Sequence, residues 1–104
     1  MLTVLTVSKR IEELRLAVEK EFGRKAKHVE STPVIERFRG VIVWNGVVET
    51  FDIPWHPQVK RCYAFINIKD NGKAHCVVVK ATPEVNSPRR AFGRFFVSRI
   101  EGRY

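Results

Sequence analysis

Residues 41–53, VIVWNGVVETFDI, hold the decision about the fold. Apolar residues flank Asn45-Gly46 on both sides, and Asn-Gly is the preferred pair for a two-residue type I′ hairpin turn. A turn there predicts Trp44 opposite Val47, Val43 opposite Val48 and Ile42 opposite Glu49. One face then collects Phe38, Ile42, Trp44, Val47, Phe51 and Ile53 as core. The other carries Arg39, Val41, Val43, Val48, Thr50 and Asp52, with Arg39 and Asp52 as a cross-strand ion pair.

Outward from this hairpin, the C-terminal side reads PWHPQ (54–58), whose two prolines lack ladder donors and end the strand. A second hairpin follows, with KRCYAFINI and AHCVVVKA flanking KDNGK. ATPEVNSP (81–88) is a loop. Ser87 as N-cap and Pro88 at the first helical position open a last helix, on which Phe92, Phe95, Phe96 and Ile100 share one arc. Arg90 and Arg94 fall opposite, and Arg99 sits inside the apolar arc, where it must snorkel or meet an acid. On the N-terminal side, VESTP (29–33) reads as a linker. Before it, Ile11, Leu14, Val18 and Phe22 recur at helical spacing over 8–22, with Ser8 as cap and Gly23 as stop. The leading LTVLTV is short enough to be a strand or a frayed arm.

The expected fold is therefore α+β, a single domain over 1–104 in the order α-β-β-β-β-α. The economical arrangement is a two-layer sandwich: a four-stranded antiparallel meander with both helices on one face, plus an extra short N-terminal strand if LTVLTV is extended. Its 104 residues, 44% hydrophobic and 29% charged, suffice for one modest core without metals or disulfides. The apolar runs are too short to span a bilayer, and MLTVLTV lacks the basic start of a signal peptide. The expectation is a cytoplasmic protein with no membrane partner.

Catalytic chemistry finds little purchase. Cys62 and Cys76 lie four or five positions apart in either register of the second hairpin, on the order of 13 Å along a strand, whereas disulfide Cα atoms need about 7 Å. The same spacing denies them a shared metal, and no cofactor motif occurs. His56, on the proline-braced loop near Cys62, is the one candidate for a nucleophile pair. The plainer reading is a loop histidine that turns the corner between hairpins.

Charge is the feature that points somewhere. Nineteen Lys and Arg against eleven Asp and Glu give a formal +8, which concentrates phosphates around the molecule. Two basic groups stand out: Arg24, Lys25 and Lys27 at the exit of the first helix, and Arg89, Arg90 and Arg94 on the last. Arginine suits bidentate phosphate contacts. The Arg89-Arg90-Ala91 opening is similar to the Lys-Lys-Ala cluster that opens the last helix of double-stranded-RNA-binding domains. That likeness ends at those residues, because the four strands and PWHPQ follow another pattern. Tyr63 and Phe65 alternate beside Lys60 and Arg61, as base-stacking rings do on open sheets, though apolar neighbours favour a place in the core. The leading expectation is nucleic-acid or other polyanion binding through those six cations. The alternative is an interaction module, with Val41, Val43 and Val48 as an exposed sheet face for a homodimer.

Overall fold

The computed structural model describes residues 2–69 and 71–100, the side chains of 2–7 and 98–100 excepted. The order is α1 (Leu2–Phe22), β1 (Lys27–Phe38), β2 (Val41–Asp52), β3 (Arg61–Ile68), β4 (Ala74–Lys80) and α2 (Pro88–Ile100). The four strands form one antiparallel sheet in sequence order. The α-β-β-β-β-α meander is as expected.

The first hairpin turns six residues earlier than Asn45-Gly46. The strands close at Phe38 opposite Val41, and the two-residue loop is Arg39-Gly40, with φ of 54° and 81°. Two positive φ angles make it type I′. The physical reason lies in what each turn leaves behind. A turn at Asn45-Gly46 strands residues 27–37 without a partner. The earlier turn pairs the whole of β1 with β2, so VESTP, read as a linker, is the middle of β1, and Val34 is buried. Gly46 has a different job inside β2: a Cβ there would sit 2.6 Å from Cζ2 of Trp44. Glycine lets the indole lie along its own strand. The cost of the chosen turn is an arginine in the left-handed region, which L-residues other than Gly and Asn avoid by about 1–2 kcal/mol. Arg39 recovers part of this by lying over the Phe38 ring, 5.1 Å from its centroid. Arg39→Asn is accordingly expected to raise unfolding free energy by about 0.5 kcal/mol net, read from a urea midpoint. A lowered midpoint would contradict a type I′ turn at that position.

Layering also differs. Leu14 and Val18 of α1 pack with Phe51, Ile53, Cys62 and Ala64. Ala91 and Phe92 of α2 pack with Val34, Val48, Tyr63, Phe65 and Val77. On β3 those sets alternate, Cys62 and Ala64 against Tyr63 and Phe65, and alternate residues of a strand point to opposite faces. The helices therefore cover opposite faces of the sheet, one each, rather than sharing one. The cause is visible in β3 itself, where residues of both parities are apolar, so both faces need a cover.

The predicted core face splits along the same line. Phe51 and Ile53 lie under α1 and Trp44 under α2, while Phe38 and Ile42 remain 41% and 47% exposed. Val48 and Thr50, expected outside, are buried. Asp52 pairs with Arg61 of β3 at 2.7 and 3.3 Å, not with Arg39.

The helix ends follow local chemistry. LTVLTV is neither strand nor arm; it forms the first turns of α1, ahead of Ser8, which is no cap. A helix already nucleated by 8–22 extends through Thr and Val at a few tenths of a kcal/mol each. Gly23 ends it at φ 66°, its N–H donating to the Glu19 carbonyl at 2.8 Å. Beyond it, the Glu19 carboxylate accepts the Ala26 N–H at 2.8 Å and Arg15 at 2.7 Å, tying the helix exit to the start of β1. At α2, Ser87 Oγ accepts the Arg90 N–H at 3.2 Å, as an N-cap should. Phe92, Phe95 and Phe96 point inward, Phe92 stacking on Trp44 at 4.2 Å between centroids. The expectations for the side chains of Ile100 and Arg99 lie outside the described residues. No described helix is long and apolar enough to cross a membrane.

Candidate functional site

The six cations expected to act together do not form one surface. Arg24 and Lys25 follow α1, and Lys27 begins β1 opposite Asp52. Arg24 and Lys25 share a shallow surface dip with Glu19, and the Arg24 guanidinium donates to the Gly23 carbonyl. Nearby Lys25 and Arg15, together with the Ala26 N–H as the largest influence, hold the Glu19 carboxyl below the usual range. This group is thus partly neutralised.

The second group belongs to the opposite layer. Arg89, Arg90 and Arg94 are exposed. Arg89 reaches Glu36 of β1 at 3.5 Å. Arg90 donates to the Glu84 carbonyl and, with Arg94 one turn on, borders a shallow depression lined also by Glu84, Val85, Gly93 and Val97. No carboxylate pairs with Arg90 or Arg94 among the described residues. α2 itself contains no acid, and although Glu84 borders the same depression it pairs with neither arginine, so the outer face of α2 is the candidate interface.

The remaining candidates resolve into structure. Tyr63 and Phe65 are 3% and 0% exposed and belong to the α2-side core, so neither ring offers itself to a base. Cys62 and Cys76 are free thiols, with Cys76 opposite Ile66. Burial pushes the Cys62 thiol up to about 12, with Asp52 adding to the shift, so it stays protonated at neutral pH and is a poor nucleophile. His56 turns its loop: Nδ1 accepts the N–H groups of Gln58 and Val59 at 3.0 and 2.8 Å, and its ring meets Phe22 edge-on. Of the three valines expected to form one sheet face, Val41 and Val43 are exposed, while Val48 is buried beneath α2.

One polar cluster escaped the sequence reading. The Glu49 carboxylate is fully buried on the α1 face of the sheet. It meets His28 Nε2 at 2.7 Å, accepts the Ser31 hydroxyl, and pairs with Arg10 at 3.4 Å. A turn at Asn45-Gly46 places Glu49 opposite Ile42 and leaves Ser31 in a linker, which keeps these groups apart. A carboxylate inside the apolar run VVETF was the available signal. Although Glu, His and Ser converge, they do not form a nucleophilic relay. The carboxylate and the hydroxyl (3.4 Å) both lie at Nε2, whereas a relay needs the acid on one ring nitrogen and the hydroxyl on the other. The cluster instead knots α1, β1 and β2 together.

Comparison with protein-family models, with curated proteins and with solved structures finds no match.

Proposed function

We propose that the protein binds a polyanion, with nucleic acid the best-fitting class, through the outer face of α2. The observation that supports this reading is the exposed pair Arg90 and Arg94, one turn apart on an acid-free helix and engaged in no ion pair among the described residues, although Glu84 borders the same depression. Exposed guanidinium groups at this spacing make bidentate contacts with successive phosphates without first breaking an ion pair. Arg89 contributes less, because Glu36 competes for it. The formal +8 of the whole chain supplies the longer-range attraction. Arg24 and Lys25, at the exit of α1, and Lys27, at the end of β1 away from the Glu36 that Arg89 reaches, add to that field without touching the same ligand segment. Such binding reads the backbone and carries no base preference by itself.

Fluorescence anisotropy with a labelled RNA hairpin and a labelled single strand, repeated over a salt series, tests this. Affinity is expected to fall steeply with salt. The double variant Arg90→Ala/Arg94→Ala should lower the log–log slope by about 2. Arg24→Ala/Lys25→Ala should leave the slope near wild type. No association at low ionic strength, or equal losses from both double variants, would overturn the reading.

A further inference from the structure

The sheet is forked. β2 keeps β1 as partner along its length, but pairs with β3 only over Glu49–Asp52 against Arg61–Ala64. Beyond that junction the two hairpins part, and between them lies a groove of about 500 Å³. One wall is the consecutive run Val43–Val47 of β2, the other is Ile66–Ile68 of β3, and Arg10 reaches in from α1. Five residues of strand edge make a groove about 17 Å long.

Three features say what the groove takes. The first is backbone: no β3 residue pairs with β2 at Val43–Val48. That edge has no proline and no inward charge to blunt it; its one irregularity is at Val43, which the shift between Glu36–Trp44 and Arg37–Ile42 leaves without a β1 partner. The second is a pair of donors that nothing satisfies. Asn67 is 8% exposed, yet its buried Nδ2 has no hydrogen-bond partner, and the same is true of Arg10 Nε. Native proteins seldom leave buried donors unpaired, and both of these await an acceptor oxygen. The third is charge. No carboxylate lines the groove among the described residues, while Arg37 and Arg39 stand at the tip of one prong and Lys69 and Lys73 at the other.

We infer that the fork is a receptor for an extended, acidic polypeptide segment, which adds as a strand to the free edge of β2. Its backbone continues the ladder and its carbonyl oxygens meet the Asn67 and Arg10 donors. Its apolar side chains lie against Val43, Val47 and Ile66, and its carboxylates face the cations on the two prongs. The site is independent of the arginine face of α2.

The probe is the synthetic peptide acetyl-DVEIEVD-amide, with KVKIKVK and a proline-containing analogue of the acidic peptide as controls. Titrated into ¹⁵N-labelled protein, the acidic peptide should move the backbone resonances of 43–47 and 66–68 and the Asn67 side-chain amide, saturably. The controls should not. Val43→Glu, at a position already 40% exposed, should weaken binding about tenfold or more, a difference large enough to read directly from the titration. Asn67→Leu carries the sharper signature: removing an unsatisfied buried amide should raise the urea midpoint while abolishing the peptide shifts. The inference fails if the shifts map to α2, if the cationic peptide binds equally, or if a single-stranded oligonucleotide moves the same residues. It also fails if 43–47 shift with protein concentration alone, since a second copy would then be the occupant.

Discussion

Phe92→Ala is expected to destabilise the protein by about 4 kcal/mol, the middle of the range for emptying a buried phenylalanine site. Phe92 is 2% exposed. It stacks on Trp44 with an interplanar angle of 16°, and Phe65, Phe95 and Phe96 all lie within 6.0 Å between centroids. Each such ring pair adds about 0.5–1.5 kcal/mol beyond the area it buries. Alanine removes the shared member of all of them, and the cavity is walled by rings on two strands and a helix that cannot collapse into it. For a chain of this length the loss corresponds to a fall in Tm of roughly 20 °C. Val97→Ala on the same helix, at a position 46% exposed, is the control and should stay within about 0.5 kcal/mol of wild type. Equal effects from the two would mean that α2 does not dock through its phenylalanine stripe.

Glu49→Ala should cost about 2–4 kcal/mol through a different mechanism. The carboxylate accepts from β1 twice and from α1 once, at a point where side-chain exposure is zero. Its removal leaves Ser31, His28 and Arg10 without their acceptor, a desolvation penalty of about 1–3 kcal/mol per truly buried group. Ser31 is exposed, and Arg10 and His28 retain 27% and 29% of their side-chain exposure, so water relieves part of it, which keeps the figure below the sum. Glu49→Gln preserves an acceptor oxygen and should lose less than half as much. Guanidinium unfolding curves separate the cases. A Glu49→Ala protein as stable as wild type would show that the cluster is incidental to the joint between α1 and the first hairpin.

Much of the architecture was legible in the chain, and its failures are instructive. Ile11, Leu14, Val18 and Phe22 specified α1, and Ser87-Pro88 specified the start of α2, because caps and 3.6-residue spacing act locally. Of the two registers open to the second hairpin, the one with Cys76 opposite Ile66 is adopted. The first hairpin went wrong at Asn45-Gly46, where a strong local turn preference meets a larger non-local gain. Pairing all of β1, burying Val34 and giving Trp44 its place on Phe92 outweigh an ideal turn dipeptide, and Gly46 serves the indole instead. The opposite placement of the helices was written in β3, where Tyr63 and Phe65 interleave with Cys62, Ala64 and Ile66, but only knowledge of which helix meets which parity separates Arg24 from Arg90. Glu49, His28, Ser31 and Arg10 are distant in sequence, and no spacing rule joins them until the register is known.

The two-sided packing of β2 and the fork both inherit from one feature, the turn at Arg39-Gly40. It sets which face each residue of β2 presents, and it carries the free edge of the fork out beyond β3. Cross-strand NOEs in the folded protein read that register without perturbing it. The structure predicts contacts from Thr32 to Val48 and from Val34 to Gly46; NOEs joining Val43 to Val48 instead would put the chain reversal back at Asn45-Gly46 and dissolve the fork.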